Sequence, residues 1–139
     1  MVPSHYAVFE SNLTRSHSGF NSKTIGRYGV QIVEAANGMI TLPVSDKINF
    51  TLHSLAPVAT CGWSLLGELS KWVPVAGARF RAILESDNDL SAEVAGMEGE
   101  VVAVSFFHVA NRSLVTVDCT VGATGRARAS AAAAECVQM

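Results

Sequence analysis

Hydrophobic and polar positions change rhythm several times along this chain. Residues 1–24 are polar with little pattern and read as an N-terminal arm or a short docking helix. From residue 25 the pattern sharpens, and residues 25–139 read as one domain. In "GVQIVEAANGMITLPV", Val30 and Ile32 alternate before Asn37-Gly38, and Ile40, Leu42 and Val44 alternate after it. Both central residues of a type I′ turn need positive φ, which Asn-Gly tolerates, so this stretch predicts a hairpin. "SDKINFTLHS" is polar and reads as a loop. "ARFRAILESDNDLSAEV" predicts a second hairpin, with Phe80, Ala82 and Leu84 on one face and Arg79 and Arg81 on the other. Its "ESDND" supplies turn residues. In "SLVTVDCTV", Val115, Val117, Cys119 and Val121 take one face and the polar positions the other, the two-residue period of a strand. "EVVAVSFFHVANR" is rich in β-branched and aromatic residues, and the C-terminal alanine run follows a strand and the turn "GATG". Both also fit a helix, the first by amphipathic spacing and the second by alanine's propensity; strand is the reading adopted for each.

Between the two hairpins the period is different. Val58, Cys61, Gly62, Leu65, Leu66 and Leu69 fall at i, i+3, i+4, i+7, i+8 and i+11, one face of a helix. Ser54 suits the N-cap, and Pro57 suits the first turn, where a missing N–H costs little. Gly62 inside that helix costs about 1 kcal/mol relative to alanine. One long apolar helix among antiparallel strands predicts an α+β fold in which the sheet wraps the helix.

Composition narrows the function more than the fold. A chain of 139 residues is one domain on length alone, and 49% hydrophobic content excludes disorder. A net charge of −2 without basic–aromatic interleaving gives no support for a nucleic-acid partner. No apolar run reaches the roughly 18 residues of a membrane span, and the N-terminal stretch lacks a secretory layout. The three cysteines, Cys61, Cys119 and Cys136, make no metal motif. Their odd number and wide spacing predict reduced, buried thiols and a cytoplasmic protein. There is no phosphate-binding Gly-Lys-Ser/Thr loop, no metal-ligand cluster and no Gly-x-Ser-x-Gly elbow.

A strand pair, a loop, one long apolar helix and a run of antiparallel strands is an order that resembles the hotdog-fold thioesterases. The nearer likeness is to the thioesterase-like domain found C-terminal to acetyltransferase domains in bacteria. It rests on "TIGRYGVQIVEAANGMITLPVS", "SLAPVATCGWSLLGEL" and "ARFRAILESDNDLSAEV", and spans residues 24–137. Gly62-Trp63 matches a Gly-Trp pair of the family's helix, and "RFRAIL" loosely matches its charged, aromatic strand. Phe50 stands where the subgroup has Phe-Gly-Gly, with Thr51 and Leu52 in place of the glycines. Pro57 to Leu66 holds no acid where many of these enzymes carry one. The resemblance implies a hotdog fold, an antiparallel sheet wrapped around one long central helix. It implies a homodimer or dimer of dimers, hydrolysing an acyl-CoA or acyl-carrier-protein thioester at the subunit interface. No cofactor is implied beyond the coenzyme A of the substrate, and no metal.

In that arrangement the thioester carbonyl sits at the helix start, where free N–H groups and the dipole favour a developing oxyanion. The N–H groups from Thr51 to Leu55 are the implied donors, and Phe50, Thr51, Leu52 and Ser54 the implied substrate contacts. His53, with an ordinary pKa near neutrality, suits a general base or water-orienting group. Asn49 and Asp46 precede it and are placed to position a water. Arg79 and Arg81 suit the phosphates of coenzyme A or pantetheine. Each residue also has a plainer use: helix capping for His53, turn chemistry for Asp46 and Asn49, and exposed strand charge for the arginines. Two other readings stand beside hydrolysis. One is a non-catalytic hotdog that binds an acyl group or small ligand. The other is a structural or interaction protein built as an all-β sandwich, which β-structure through residues 55–70 would favour.

Overall fold

A computed structural model describes residues 3–11, 30–37, 39–41 and 52–139. Among the described residues there are ten strands and no helix. Three antiparallel sheets are stacked. The first comprises β1 (His5–Ser11), β2 (Val30–Glu34) and β3 (Leu52–Pro57), in the order β2-β1-β3. The middle sheet comprises β4 (Trp63–Gly67), β7 (Val101–His108) and β8 (Ser113–Thr120), in the order β4-β7-β8. The third comprises β5 (Phe80–Glu85), β6 (Leu90–Ala95), β9 (Arg126–Ser130) and β10 (Glu135–Gln138), in the order β10-β9-β6-β5.

The middle sheet is covered on both faces at β4 and the second half of β7, and this dictates the sequence there. Trp63, Leu65, Val102, Val104 and Phe106 face the third sheet, where they meet Leu90, Ala92, Val94, Ala127 and Ala129. Leu66 and Phe107 face the first sheet and pack with Ala7, Phe9, Val30 and Ala56. β4 is buried at every position. A strand buried on both faces reads as a continuous apolar run, not an alternating one. The buried Ser64 is satisfied within this packing: its hydroxyl donates to Pro57 O at 2.9 Å and Ala56 O at 3.2 Å, tying β4 to β3.

The long central helix is therefore absent, and with it the hotdog fold. Residues 52–57 are a strand paired with β1, residues 58–62 turn, and residues 63–67 are a strand paired with β7. Helical spacing arose because the contiguous apolar residues of β4 were read together with Val58 and Cys61 of the turn. Gly62 (φ 84°) and Gly67 (φ 79°) adopt a left-handed backbone that no α-helix contains. Ser54 and Pro57 are strand residues, not a cap and a first turn.

The hairpin of β5 and β6 and the alternation of β8 match the sequence pattern, and residues 101–108 form a strand. Three details differ. A bulge between Phe80 and Ala82 shifts the register. Past it Ile83 and Glu85 pair with the core-facing Ala92 and Leu90, so Ala82 and Leu84 lie on the opposite face from Phe80; one inserted residue reverses the alternation. The alanine run divides, with Ala127 and Ala129 on β9 and residues 131–134 turning into β10. Residues 5–11, inside the stretch read as an arm, form β1, with Ala7, Val8 and Phe9 buried.

Cys119 and Cys136 are not reduced thiols. They form a disulfide (S–S 2.08 Å) between β8 and β10, linking the middle sheet to the third. Cys61 is the free cysteine.

Candidate functional site

The third sheet has four strands and the middle sheet three. β8 packs over β9 and β10, and β4 over β6, so β5 extends past the edge of the middle sheet. Its inward face is left partly uncovered, and a cleft of about 970 Å³ opens there. Ile83 and Glu85 of β5 form one side, Leu55, Val58 and Thr60 another, and Val75 enters from the loop between β4 and β5. This volume is at the upper end of small-molecule sites, which run roughly 300–1,000 Å³. Leu55, Val75 and Ile83 are 43%, 37% and 52% exposed. Exposed apolar residues scattered singly are ordinary, whereas a cluster around one opening marks a binding surface.

A carboxylate stands in this aliphatic wall. Glu85 closes β5, and its Oε1 accepts the Thr60 hydroxyl and, at 3.2 Å, the Cys61 N–H. Those two bonds, the hydroxyl foremost, hold its carboxyl below the usual range, so the group is anionic at neutral pH. Thr60 and Cys61 belong to the turn that Gly62 closes, with the Gly62 N–H donating to Ala59 O at 3.0 Å. Glu85 thus reaches from the third sheet to the β3–β4 turn. Among the described residues it forms no ion pair. At the rim, Ser4 Oγ lies 2.9 Å from His5 Nδ1. The two are exposed sequence neighbours, and among the described residues no carboxylate bonds to that ring.

Of the residues expected to form a thioester site, His53, Ser54, Arg79 and Arg81 do not line this cleft. Asp46, Asn49, Phe50 and Thr51 lie outside the described residues. Leu52, His53 and Ser54 are on β3, and since neighbours in a strand point to opposite faces, His53 and Ser54 do not share a site. The free N–H groups of a helix start do not exist from residue 52 onward, because this segment is a paired strand. Arg81 is exposed on β5. His108 packs edge-on against Trp63 (centroids 4.6 Å apart), and among the described residues its buried Nδ1 has no hydrogen-bond partner.

Arg79 is committed elsewhere. Its Nε donates to Glu68 Oε2 at 3.0 Å, its Nη1 to Ala95 O at 2.8 Å and its Nη2 to Glu100 Oε1 at 2.6 Å. The guanidinium joins the loop after β4 to the β6–β7 connection. The Arg79 hydrogen bond, assisted by the Met97 N–H, lowers the Glu100 pKa from the ordinary 4.5 to about 2. A carboxyl with a depressed folded-state pKa contributes stability that is present above its unfolded value and is lost as pH falls through its folded value. The Glu100 contribution is therefore complete above pH 4.5 and disappears towards pH 2. Glu100→Gln will flatten the stability profile across this window in urea titrations. Parallel profiles for variant and parent would show that the pair carries none of the acid sensitivity.

Among the described residues, fold and cleft together define an all-β, three-layer sandwich whose opening is lined by aliphatic side chains and one anionic group. No protein-family model, curated protein or solved structure matches this chain.

Proposed function

We propose that this chain is a non-catalytic binding protein whose cleft takes an aliphatic ligand with a cationic head. The carrying observation is the cleft itself: a large aliphatic cavity at the open edge of the sandwich, with the ionised Glu85 in its wall and, among the described residues, only neutral donors bonded to it. Apolar walls supply affinity by removing hydrocarbon from water, and a fixed polar group sets orientation. A cationic head complements Glu85, whereas the phosphates of an acyl-CoA bring charge of the same sign towards it.

The test is calorimetric titration with decylammonium and with decanoate, which share a tail and differ in the sign of the head. Decylammonium is expected to bind the more tightly. Glu85→Gln should weaken it a few-fold, the scale of an exposed ion pair, and remove the preference. Equal affinities in the parent would overturn the assigned head group. An acyl-CoA hydrolysis assay completes the test: turnover abolished by Ser4→Ala would replace binding with catalysis.

A further inference from the structure

We propose that β5 is a self-association strand: two copies of this chain pair their β5 strands antiparallel about a two-fold axis at Ile83, joining two four-stranded sheets into one. This rests on the edge of the sheet and shares Glu85 with the cleft, so association and a cationic ligand head compete for that carboxylate.

Among the described residues β5 is the terminal strand of its sheet, with β6 on one side and no strand on the other. The Ser86 N–H donates to Asp89 O at 2.9 Å at the hairpin end. Antiparallel ladders alternate, so Leu84 and Ala82 then exchange bonds with β6, and the N–H and C=O groups of Ile83 and Glu85 face the open side. Natural edge strands are guarded by proline, lysine, bulges or a covering element. Past its bulge, β5 contains neither proline nor lysine. Ile83 and Leu84 are 52% and 46% exposed, on opposite faces.

The charges select a second copy as the occupant. Arg81 and Glu85 stand two residues either side of Ile83. A two-fold at Ile83 brings Arg81, which lies in the bulge between Phe80 and Ala82, to the end of the new ladder beside Glu85 of the partner subunit, and the symmetry makes this pair twice. Opposite charges facing each other across a ladder stabilise it, and like charges destabilise it. The intrachain bonds of Glu85 both use Oε1, which leaves Oε2 for a guanidinium. Sterics agree: each β3–β4 turn is tied to its own Glu85, so antiparallel pairing sets the two turns at opposite ends of the junction. The contact is isologous and closes at a dimer.

Sedimentation of the full chain over a concentration series tests this. The expected species is a reversible dimer of twice the 14.7 kDa monomer. Arg81→Glu and Glu85→Arg will each weaken association about tenfold by setting like charges opposite each other twice. Mixing the two variants will restore it, because an all-acidic strand then meets an all-basic one. Rescue by mixing separates the interface from any effect of either substitution on folding. Ile83→Pro removes an N–H that faces the open edge, so the variant should stay folded by circular dichroism and sediment as a monomer. A parent chain that remains monomeric throughout, or single variants that associate as tightly as the parent, would overturn the proposal. So would binding of an unrelated extended peptide at β5 without self-association.

Discussion

Removing the Cys119–Cys136 bond will destabilise this protein by about 3 kcal/mol, with a fall in Tm of roughly 10 °C. The two cysteines are 17 residues apart, and their cross-link closes a loop containing β9 and the turns on either side of it. Constraining a loop of this length removes conformational freedom chiefly from the unfolded chain. The folded state depends on it too. β10 has four residues and, among the described residues, is the terminal strand of its sheet, paired only with β9. It is also tied to the middle sheet by the sulfur bridge to Cys119, which is fully buried against the core of that sheet. The check is urea unfolding of the parent with and without reductant, beside Cys119→Ala/Cys136→Ala. Parent plus reductant and the double variant should share a lowered midpoint, and reductant should leave the variant unchanged. Thiol titration of the denatured, unreduced chain should find one reactive group, Cys61. Coincident unfolding curves with and without reductant would show that the bond contributes nothing.

Where one face of a strand is buried and the other wet, the structure was legible in the sequence. β8 is such a strand, with Val117 and Cys119 buried and Thr116, Asp118 and Thr120 exposed, and the β5–β6 hairpin was readable from its turn residues. β4 and the second half of β7 broke the rule because both of their faces are covered. Leu65 and Leu66 are adjacent in the chain yet belong to different cores, as are Phe106 and Phe107. Such runs lose the two-residue period, and a short apolar run cannot be told from a buried helix by periodicity alone. A corrective signal was present. Gly62 and Gly67 lie five residues apart, with Pro57 five residues before the first, which is poor composition for a helix interior and good composition for a strand–turn–strand unit.

The resemblance to hotdog proteins rested on the order of three stretches but took its central helix from that one segment, and the order of the remaining elements is shared by many β-rich folds. The buried partner of Cys119 was not readable either, because it depends on β10 folding back beside β9 and over β8. Nor was the cleft, whose walls come from β3, the β3–β4 turn, the β4–β5 loop and β5. No local motif links these residues. The opening is a consequence of four strands facing three.

Gly67→Ala will cost more than about 3 kcal/mol, although it adds a single methyl group. At φ 79° the backbone is left-handed, a conformation that costs roughly 1–2 kcal/mol for a residue with a Cβ. The space is also taken: a Cβ at Gly67 would stand 2.1 Å from Pro74 O and 2.8 Å from Val75 Cγ2. Pro74 O already accepts the Glu68 N–H at 2.9 Å, so the carbonyl cannot withdraw without breaking that bond. Gly99→Ala is the matched control. It has nearly the same φ, 80°, and nothing lies within 4 Å of the added atom, so it isolates the backbone strain. Unfolding of the two variants in urea should therefore separate by the cost of the overlap alone. The difference also reports on the cleft, because the displaced loop carries Val75 in the cleft wall and is followed by Arg79, whose guanidinium bonds Glu68 within that loop. Gly67→Ala should weaken ligand binding as well as stability, whereas Gly99→Ala should leave binding intact. Equal destabilisation by the two variants would mean that the loop does not pack on β4 as described, and the cleft would lose the wall that Val75 supplies.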